Sequence, residues 1–417
     1  MKRVAAILLT CSLLFGSALA QSDTSQRIAF ITPQGQLAVI DDDGGNLRVL
    51  TSGQQRFQFP AWSPDGMSLA AIASDVQGGT VQLVTFDAEE DLPVELYRSG
   101  SQPPFYLYWS PDSQTVSFLA NHPSDGIALH LVGIGSRTDR VLATGQPFYW
   151  QWSADSSRLL LHTGFSGVGS RLGFSDVASD SLMENLASPG FFQSPAISAS
   201  GRYIAYGSVR VDGQGQVILQ SNPEIEVDEV INRRLLHQGI VAMAWSPTEE
   251  LLAIMSPDRE VPRFFGSIDL IDAETGLLEP LVNELALAFF WSPDERFIAY
   301  LTPVGSGGGD IASLGHIDHI SQLQAQQVPL LFELSIVEVA TRERRSLTTF
   351  APTPIFVRQF LPFFDQYALS HRIWSPESDA LVLPMLDNER RSQVVIVSLD
   401  GSVTPIGGGD TPFWNQR

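Results

Sequence analysis

The chain has 417 residues, 44% of them hydrophobic, and its formal net charge is −21 because 46 acidic residues outnumber 25 basic ones. A chain this acidic repels nucleic-acid phosphates and anionic lipid surfaces, so we expect no nucleic-acid partner. Its length suits one large repeat domain or two to three ordinary domains.

Residues 1–20 predict a signal peptide. Lys2 and Arg3 precede an apolar run, Val4 to Phe15, and Ala18-Leu19-Ala20 is typical of a cleavage site. The run is short for a membrane span, and no later segment reaches spanning length without charges or proline. We therefore expect export with cleavage, and a periplasmic or secreted protein without a transmembrane segment.

Lipidation of Cys11 is the alternative to cleavage after Ala20. Leu8-Leu9-Thr10-Cys11 loosely resembles a lipobox, but Thr before Cys is a poor match and Cys11 lies early in the apolar run. Cleavage would remove the only cysteine. The mature chain would then contain neither a disulfide nor a thiol nucleophile.

One motif recurs through residues 21–417: an apolar stretch ends at Trp and is followed by Ser-Pro-Asp and a small residue, as in "WSPDG" at Trp62. Its anchor positions are Trp62, Trp109, Trp152, Ile197, Trp245, Trp291 and Trp374. They are spaced by 47, 43, 45, 48, 46 and 83 residues. A period in the forties with short strands is typical of propeller blades of four antiparallel strands.

The residues of each unit support this interpretation. Pro presets φ in a tight turn, Asp bonds nearby backbone, and Gly or Ser tolerates the turn's exit. A second apolar strand follows, such as "LAAIA" or "FIAYL", and then a third, such as "QLVTF" or "QVVIVSLD". A weaker fourth strand completes the unit.

The two ends of the chain complement each other. Residues 27–50 contain a second, third and fourth strand but lack the first, whereas Thr411–Arg417, "TPFWNQR", supplies only a first strand. Their pairing would close the ring and remove open sheet edges. The fold predicted is thus an all-β propeller of eight blades. Seven blades remain the alternative if the degenerate unit at Ile197 or the stretched unit at Trp291 is not a blade.

The motif resembles the TolB-type propeller repeat, which also occurs in tricorn and prolyl-oligopeptidase-like proteins. The resemblance rests on Trp62–Gly66, Trp109–Ser113, Trp291–Glu295 and Leu37–Thr51, and it extends over nearly the whole mature chain. It implies the fold more than a function, since propellers have many activities. TolB has an α/β domain before its propeller, whereas here the propeller strands begin near residue 27. A TolB role is therefore not implied, and neither is the oligopeptidase hydrolase domain.

Long insertions fall on one face of the predicted propeller, where second-to-third strand loops and blade connections meet. They are residues 303–330, 351–371 and 257–266. Long loops in compact domains are commonly functional. The second insertion carries aromatics and an arginine, residue types that anchor interfaces. We predict partner binding by Phe356, Arg358, Phe360, Phe363, Phe364 and Tyr367. The alternative is that these aromatics pack down as a lid over the blade edges.

A second aromatic set lies where the chain enters innermost strands, at the mouth of the predicted channel. We include Phe105, Tyr106, Phe148 and Tyr149 among the candidate partner-binding residues. Aromatic rings there would stack on peptide side chains or sugars. Packing between blades is the alternative.

Three motifs fall short of a catalytic or metal site. Gly164–Val168, "GFSGV", fails the last position of GxSxG and lacks its strand-to-helix context. His316, Asp318 and His319 lack an evident fourth metal ligand. Asp41–Gly45 lacks the spacing of a calcium loop and is better explained as a turn. We expect no cofactor and no metal.

The function predicted is a non-enzymatic, monomeric scaffold of the cell envelope that binds a protein or peptide. The alternative is an envelope enzyme, a carbohydrate lyase or hydrolase, that uses polar groups at the channel mouth. A tight group of His, Arg and carboxylate side chains at that mouth would favour the enzyme.

Overall fold

The structure is a computed structural model. It describes residues 26–85, 93–164, 170–179, 184–187, 189–190, 193–210, 212, 214–226, 229–237, 241–257, 266–304 and 330–415.

The described strands form eight antiparallel sheets arranged as propeller blades, and in all but blade 1 the strands of a blade are consecutive in the chain. Blade 1 contains β1 (Arg27–Ile31), β2 (Leu37–Asp41), β3 (Arg48–Val49) and β31 (Asp410–Trp414). Blade 2 contains β4 (Arg56–Trp62), β5 (Ser68–Asp75), β6 (Gly78–Thr85) and β7 (Val94–Ser99). Blade 3 contains β8 (Pro104–Trp109), β9 (Thr115–His122), β10 (Gly126–Gly133) and β11 (Asp139–Gly145). Blade 4 contains β12 (Phe148–Trp152), β13 (Arg158–Thr163), β14 (Arg171–Asp176) and β15 (Glu184–Ala187).

The remaining blades follow the same plan. Blade 5 contains β16 (Ala196–Ile197), β17 (Tyr203–Val209), β18 (Gly215–Ser221) and β19 (Asn232–His237). Blade 6 contains β20 (Ala242–Trp245), β21 (Leu251–Pro257), β22 (Gly266–Asp272) and β23 (Leu278–Ala286). Blade 7 contains β24 (Ala288–Trp291), β25 (Phe297–Val304), β26 (Leu331–Glu338) and β27 (Arg344–Phe350). Blade 8 contains β28 (Ala380–Leu386), β29 (Ser392–Ser398) and β30 (Val403–Gly408), and its inner edge is completed by Trp374, which pairs with Leu381. The prediction of eight blades is confirmed.

The ring closes through the two ends of the described chain. β31 pairs antiparallel with β1, with Trp414 opposite Ile28 and Phe413 opposite Ala29. Blade 1 therefore takes its innermost strand from the C-terminal part of the chain and the other three from the N-terminal part. The predicted closure is confirmed, and it leaves no inner strand of blade 1 unpaired.

The Ser-Pro-Asp turns are held by their own side chains. In blade 2, the Ser63 hydroxyl donates to the Asp65 carboxylate at 2.6 Å and accepts from the Ser68 N–H at 2.9 Å. Asp65 in turn accepts from the Met67 N–H, so it bonds nearby backbone as predicted. The same Ser-to-Asp bond recurs at Ser110, Ser153 and Ser292.

The recurring Trp joins neighbouring blades. The indole N–H of Trp109 donates to the Ala61 carbonyl of blade 2 at 3.0 Å, and that of Trp62 donates to the Phe413 carbonyl of blade 1 at 3.2 Å. Trp291 and Trp374 make the equivalent bonds to Ala244 and Phe290. At these four positions the indole both fills the space between blades and has its donor satisfied there, which explains the recurrence of the motif.

Candidate functional site

The connection from blade 7 to blade 8 is helical and fills one end of the central channel. Phe356–Phe360 form a π turn, Leu361–Phe363 a 3₁₀ turn, and Phe364–Ser370 the helix α1. We call residues 356–370 the plug segment. Helix α1 contacts β8, β12, β20 and β24, which are innermost strands of four blades. The end of the channel at which inner strands begin, the loop face, is therefore closed by the chain itself.

Hydrogen bonds anchor the plug segment to blades 3 and 4. The Trp150 N–H donates to Gln366 Oε1 at 2.9 Å, and Gln366 Nε2 donates to the Trp150 carbonyl at 2.8 Å. The Tyr106 hydroxyl donates to the Gln366 carbonyl at 3.0 Å and lies 2.7 Å from Ser370 Oγ. Burial raises the pKa of Tyr106, which keeps its phenol protonated as a donor.

Aromatic packing anchors the plug segment to the rest of the ring. Phe360 stacks with Phe290 of blade 7 and with Phe413 of blade 1, at centroid distances of 6.0 and 5.8 Å. Tyr367 lies 5.0 Å from Phe59 of blade 2 and 5.0 Å from Tyr106 of blade 3. Since each buried aromatic stabilises the fold by roughly 2–3 kcal/mol, the plug segment is a fixed part of the core.

The structure brings most of the predicted partner-binding residues together in the interior. Seven of them are at most 6% exposed: Phe356, Phe360, Phe364, Tyr367, Tyr106, Phe148 and Tyr149. Phe105 is half-buried against this core. Only Arg358 and Phe363 are exposed. The two aromatic sets that we considered as separate surfaces thus pack against each other, and partner binding through them stays a prediction.

His371 follows the plug segment and is 2% exposed. Its Nδ1 lies 2.6 Å from Ser370 Oγ, and its Nε2 lies 3.4 Å from the Phe59 carbonyl. Burial lowers the pKa of His371 to about 3, so the imidazole is neutral at physiological pH. Both ring nitrogens face protein groups, and this histidine acts as a structural link between plug segment and ring.

A funnel remains above the plug segment. It is a cavity of about 380 Å³ lined by the inner strands of blades 4 to 8 and by α1. Asp365, Ala368 and Leu369 of α1 form its floor, while turn residues such as Pro247 and Pro293 reach its rim. The funnel therefore opens on the turn face, opposite the loop face. Its volume is in the range of ligand pockets.

The funnel wall is mainly apolar. It includes Ile197, Met243, Ala244, Phe289 and Ile373, together with the faces of Trp245, Trp291 and Trp374. Polar side chains are few there: Gln151, Ser194, Ser246, Asp365, His371 and Arg372. A mostly apolar wall with a few converging polar groups is typical of a binding site.

Arg372 is a cation within the funnel. The residue as a whole is exposed, but desolvation of its guanidinium lowers the pKa of Arg372, and the Tyr108 phenol opposes that shift. Tyr108 belongs to blade 3 and Arg372 precedes the inner edge of blade 8, where Arg372 lines the funnel. Among the described residues no carboxylate lies within ion-pair distance of Arg372.

Asp365 supplies a carboxyl group at the funnel floor. The Gln366 N–H donates to its Oδ1 at 2.9 Å, and this N–H and the Ser194 backbone both favour the ionised carboxylate. Desolvation outweighs them and raises the pKa of Asp365 to about 6. The floor thus changes charge near neutral pH.

The degenerate repeat explains why the funnel lies beside blades 5 and 6. Ile197 stands where the other internal units have Trp, and β16 contains only Ala196–Ile197. Gln151 of blade 4 compensates by pairing with this short strand: it accepts from the Ile197 N–H at 2.8 Å and donates to the Ile197 carbonyl at 3.1 Å. The smaller side chain leaves space, and in the described part of the chain Trp245 Nε1 has no hydrogen-bond partner.

The funnel was not predicted from the sequence. The sequence does contain a signal, because Ile197 replaces Trp in one internal unit and lies on the cavity wall. We interpreted this replacement only as a degenerate repeat. Arg372 was also missed, because it directly precedes a recurring Trp and its position in a channel depends on how blade 8 enters the ring.

The weaker motifs have separate outcomes. Asp41–Gly45 forms the turn between β2 and β3, in which the Gly45 N–H donates to Asp43 Oδ1. Phe165–Val168 and the His316, Asp318 and His319 group lie outside the described residues. Within the described ranges, no group of three or more His, Cys, Asp or Glu side chains could hold a metal ion. No helix in the described part has the length and apolar character to cross a membrane.

Comparisons with known proteins give the fold. No family model and no curated protein matches this chain. A eukaryotic initiation factor aligns with 95% of this chain and 99% of its own length, at 11% identity and a TM-score of 0.56. TolB from Acinetobacter baumannii aligns with 62% of this chain at 16% identity and a TM-score of 0.38, and the match spans 65% of that TolB. An oligogalacturonate lyase in complex with manganese aligns with 92% of this chain and 86% of its own, at 10% identity and a TM-score of 0.49.

The chain is a β-propeller. At such low identities the likeness extends to the fold alone, and the two matches with TM-scores under 0.5 carry no argument about function. The site must therefore be judged from its own geometry.

Proposed function

We propose that this chain is an exported, non-enzymatic, TolB-like scaffold that binds a segment of a partner protein in the periplasm or outside the cell. The proposal of export rests on Lys2, Arg3 and the apolar run that follows them. The TolB-like character rests on the repeat motif at Trp62, Trp109 and Trp291. We propose that the scaffold itself is a monomer.

One observation carries the proposal: the plug segment turns the channel into a funnel with a closed floor and an apolar wall. Rigid closed rings keep such a cavity open without a ligand, because opposite walls belong to different blades. Apolar walls gain free energy by excluding water when a ligand enters. A terminus or loop of a partner protein has the size to enter a funnel of about 380 Å³, whereas a folded domain would rest on its rim.

We propose that the predicted aromatic residues support this site rather than contact the partner. Phe360, Phe364 and Tyr367 hold the floor in place from below. Arg358 and Phe363, exposed on the loop face, are candidates for a second and separate contact.

The experiment is affinity capture from cell-envelope extracts with a funnel-filling variant. Ala244 is half-buried on the funnel wall, so Ala244→Trp should block the cavity and remove specific partners. Val49→Trp is the matched control, since Val49 is 55% exposed on the outermost strand of blade 1. Capture of the same proteins by wild type and both variants would contradict binding in the funnel.

Asp365 supports a second candidate function, that of an envelope enzyme such as a carbohydrate lyase or hydrolase. A carboxyl group with a pKa of about 6 in a cavity is suited to donate or accept a proton. Envelope polysaccharides incubated with wild type and with Asp365→Asn would test it by mass spectrometry of the products. Products that form with wild type and not with the variant would favour a lyase or hydrolase and would count against a non-enzymatic scaffold.

A further inference from the structure

We infer that the funnel binds a ligand through a carboxylate group, and specifically the C-terminus of a peptide that ends in an apolar residue. This inference rests on the proposed function, because it names the segment of the partner that enters the funnel.

Arg372 supplies a cation to which a carboxylate ligand could bind. Arg372 is an exposed residue that lines the cavity, and among the described residues no carboxylate pairs with its guanidinium. Arginine keeps its charge in proteins and presents donors in a fork that matches a carboxylate. In a partly desolvated cavity such a pair is stronger than at an open surface, and an incoming carboxylate would replace only water.

The net charge of the protein limits which anionic ligands can bind. A formal charge of −21 repels polyanions, so a ligand with many carboxylates would be opposed by the field of the whole molecule. A single carboxylate is repelled far less than a polyanion, and in the funnel it meets the Arg372 cation as well as the Asp365 carboxyl of the floor. The charge therefore favours a chain end over an acidic polymer.

The funnel wall beside Arg372 is apolar. Ile373 is its neighbour in the chain, and Ile197, Met243 and Ala244 line the same cavity. Sugars require hydrogen-bond partners for several hydroxyl groups, whereas an aliphatic or aromatic side chain fits an apolar wall. A last residue such as Leu or Phe would place its side chain on this wall and its carboxylate on Arg372. Capture of a C-terminal carboxylate is a known mode of peptide recognition.

The experiment measures binding of defined probes to the full chain. The peptide probe is N-acetyl-Ala-Ala-Leu with a free carboxylate, its comparison is the same peptide as C-terminal amide, and the third probe is trigalacturonate. Trp245, Trp291 and Trp374 line the funnel, so quenching or shift of tryptophan fluorescence reports on binding. We expect the free acid to bind about tenfold or more tightly than the amide.

Two arginine variants identify the contact. In Arg372→Gln the preference for acid over amide should disappear, and in Arg372→Lys part of it should remain. Arg358→Gln is the matched control, because Arg358 is exposed but does not line the funnel, and it should keep the full preference. The thermal midpoints of all variants should match that of wild type, which separates loss of binding from loss of fold.

Several results would overturn the inference. Equal binding of acid and amide, or an unchanged preference in Arg372→Gln, would show that Arg372 does not recognise a carboxylate. Binding of trigalacturonate without binding of the peptide would show that the ligand is an acidic sugar and not the C-terminus of a peptide. Absence of binding by every probe would also overturn it. None of these results decides the proposed function, which is tested by comparing the partner proteins captured by wild type with those captured by Ala244→Trp.

Discussion

Gln366 pairs with Trp150 as a neighbouring strand would: its side-chain amide accepts the Trp150 N–H at 2.9 Å and donates to the Trp150 carbonyl at 2.8 Å. The Gln366 side chain thereby satisfies the backbone groups of Trp150 at the inner edge of blade 4. Gln151 makes the same pair with Ile197 one blade further on. Two glutamine amides thus take the place of backbone in the interior of the ring.

Replacing Gln366 should loosen the plug segment. Gln366→Leu leaves the N–H and carbonyl of Trp150 buried without these partners, and we expect the free energy of unfolding to fall by about 2–4 kcal/mol. Chemical denaturation gives the value, and hydrogen exchange of residues 356–370 shows whether the plug segment loosens. Gln114→Leu, on an exposed turn, is the control. Unchanged exchange in the plug segment would contradict the assigned role of this pair.

The turn serines link neighbouring blades at a strained position. Ser113 has φ of 61° and its hydroxyl accepts from the Asp65 N–H of blade 2 at 3.0 Å. Ser113→Ala keeps the strain and loses the bond, so the free energy of unfolding should fall by about 1 kcal/mol. Ser113→Gly also relieves the left-handed backbone and should come out close to wild type.

Ser156 and Ser378 repeat this geometry, with φ of 62° and 60° and bonds from Asp112 and Asp294. The same order of stabilities, with the Ala variant below the Gly variant, is expected at both positions. An Ala variant as stable as wild type at all three would show that the bond between blades contributes nothing.

The stability of the protein should depend on pH through Asp365. Desolvation raises its pKa from 3.8 to about 6, so between these values the folded state holds a proton that the unfolded state releases. The stability from this group is complete below pH 3.8 and is lost as pH rises through 6. Asp365→Asn stays neutral, and its stability relative to wild type should increase by up to about 3 kcal/mol between pH 4 and pH 8.

Asp387 provides a control of opposite sign. The Arg391 N–H and then the Arg391 side chain lower the pKa of Asp387, so its contribution is present above the ordinary pKa and is lost on acidification. Asp387→Asn should therefore lose stability relative to wild type as pH rises. Parallel pH profiles for the two variants would contradict the assignment of Asp365.

Removal of β31 should open the ring. Deletion of residues 410–417 takes away the inner strand of blade 1, its pairing with β1, and the Phe413 carbonyl that accepts from Trp62. The exposed edge of β1 then invites pairing with other chains. Size-exclusion chromatography should show oligomers or aggregates, whereas deletion of residues 416–417 alone should leave the elution volume unchanged.

The fold followed from the sequence because its signal is local and repeated. The Ser63 to Asp65 bond closes within a few residues, and each Trp motif carries the same turn chemistry, so the number of blades and the closure by Phe413 and Trp414 were predictable. The role of the aromatic plug segment was not. Phe360 and Phe364 have the same sequence pattern whether they cover a surface or fill a channel.

Only the tertiary structure decided between those alternatives, since the deciding contacts join residues far apart in the chain. Gln366 meets Trp150 across 216 positions and Tyr106 across 260. The funnel likewise depends on packing, because the loss of Trp at Ile197 leaves space only once blades 4, 5 and 6 stand side by side. Sequence determined the ring, through short-range turns and a repeated indole. The plug segment, the funnel and the exposed Arg372 within it arise from long-range packing that no local pattern encodes.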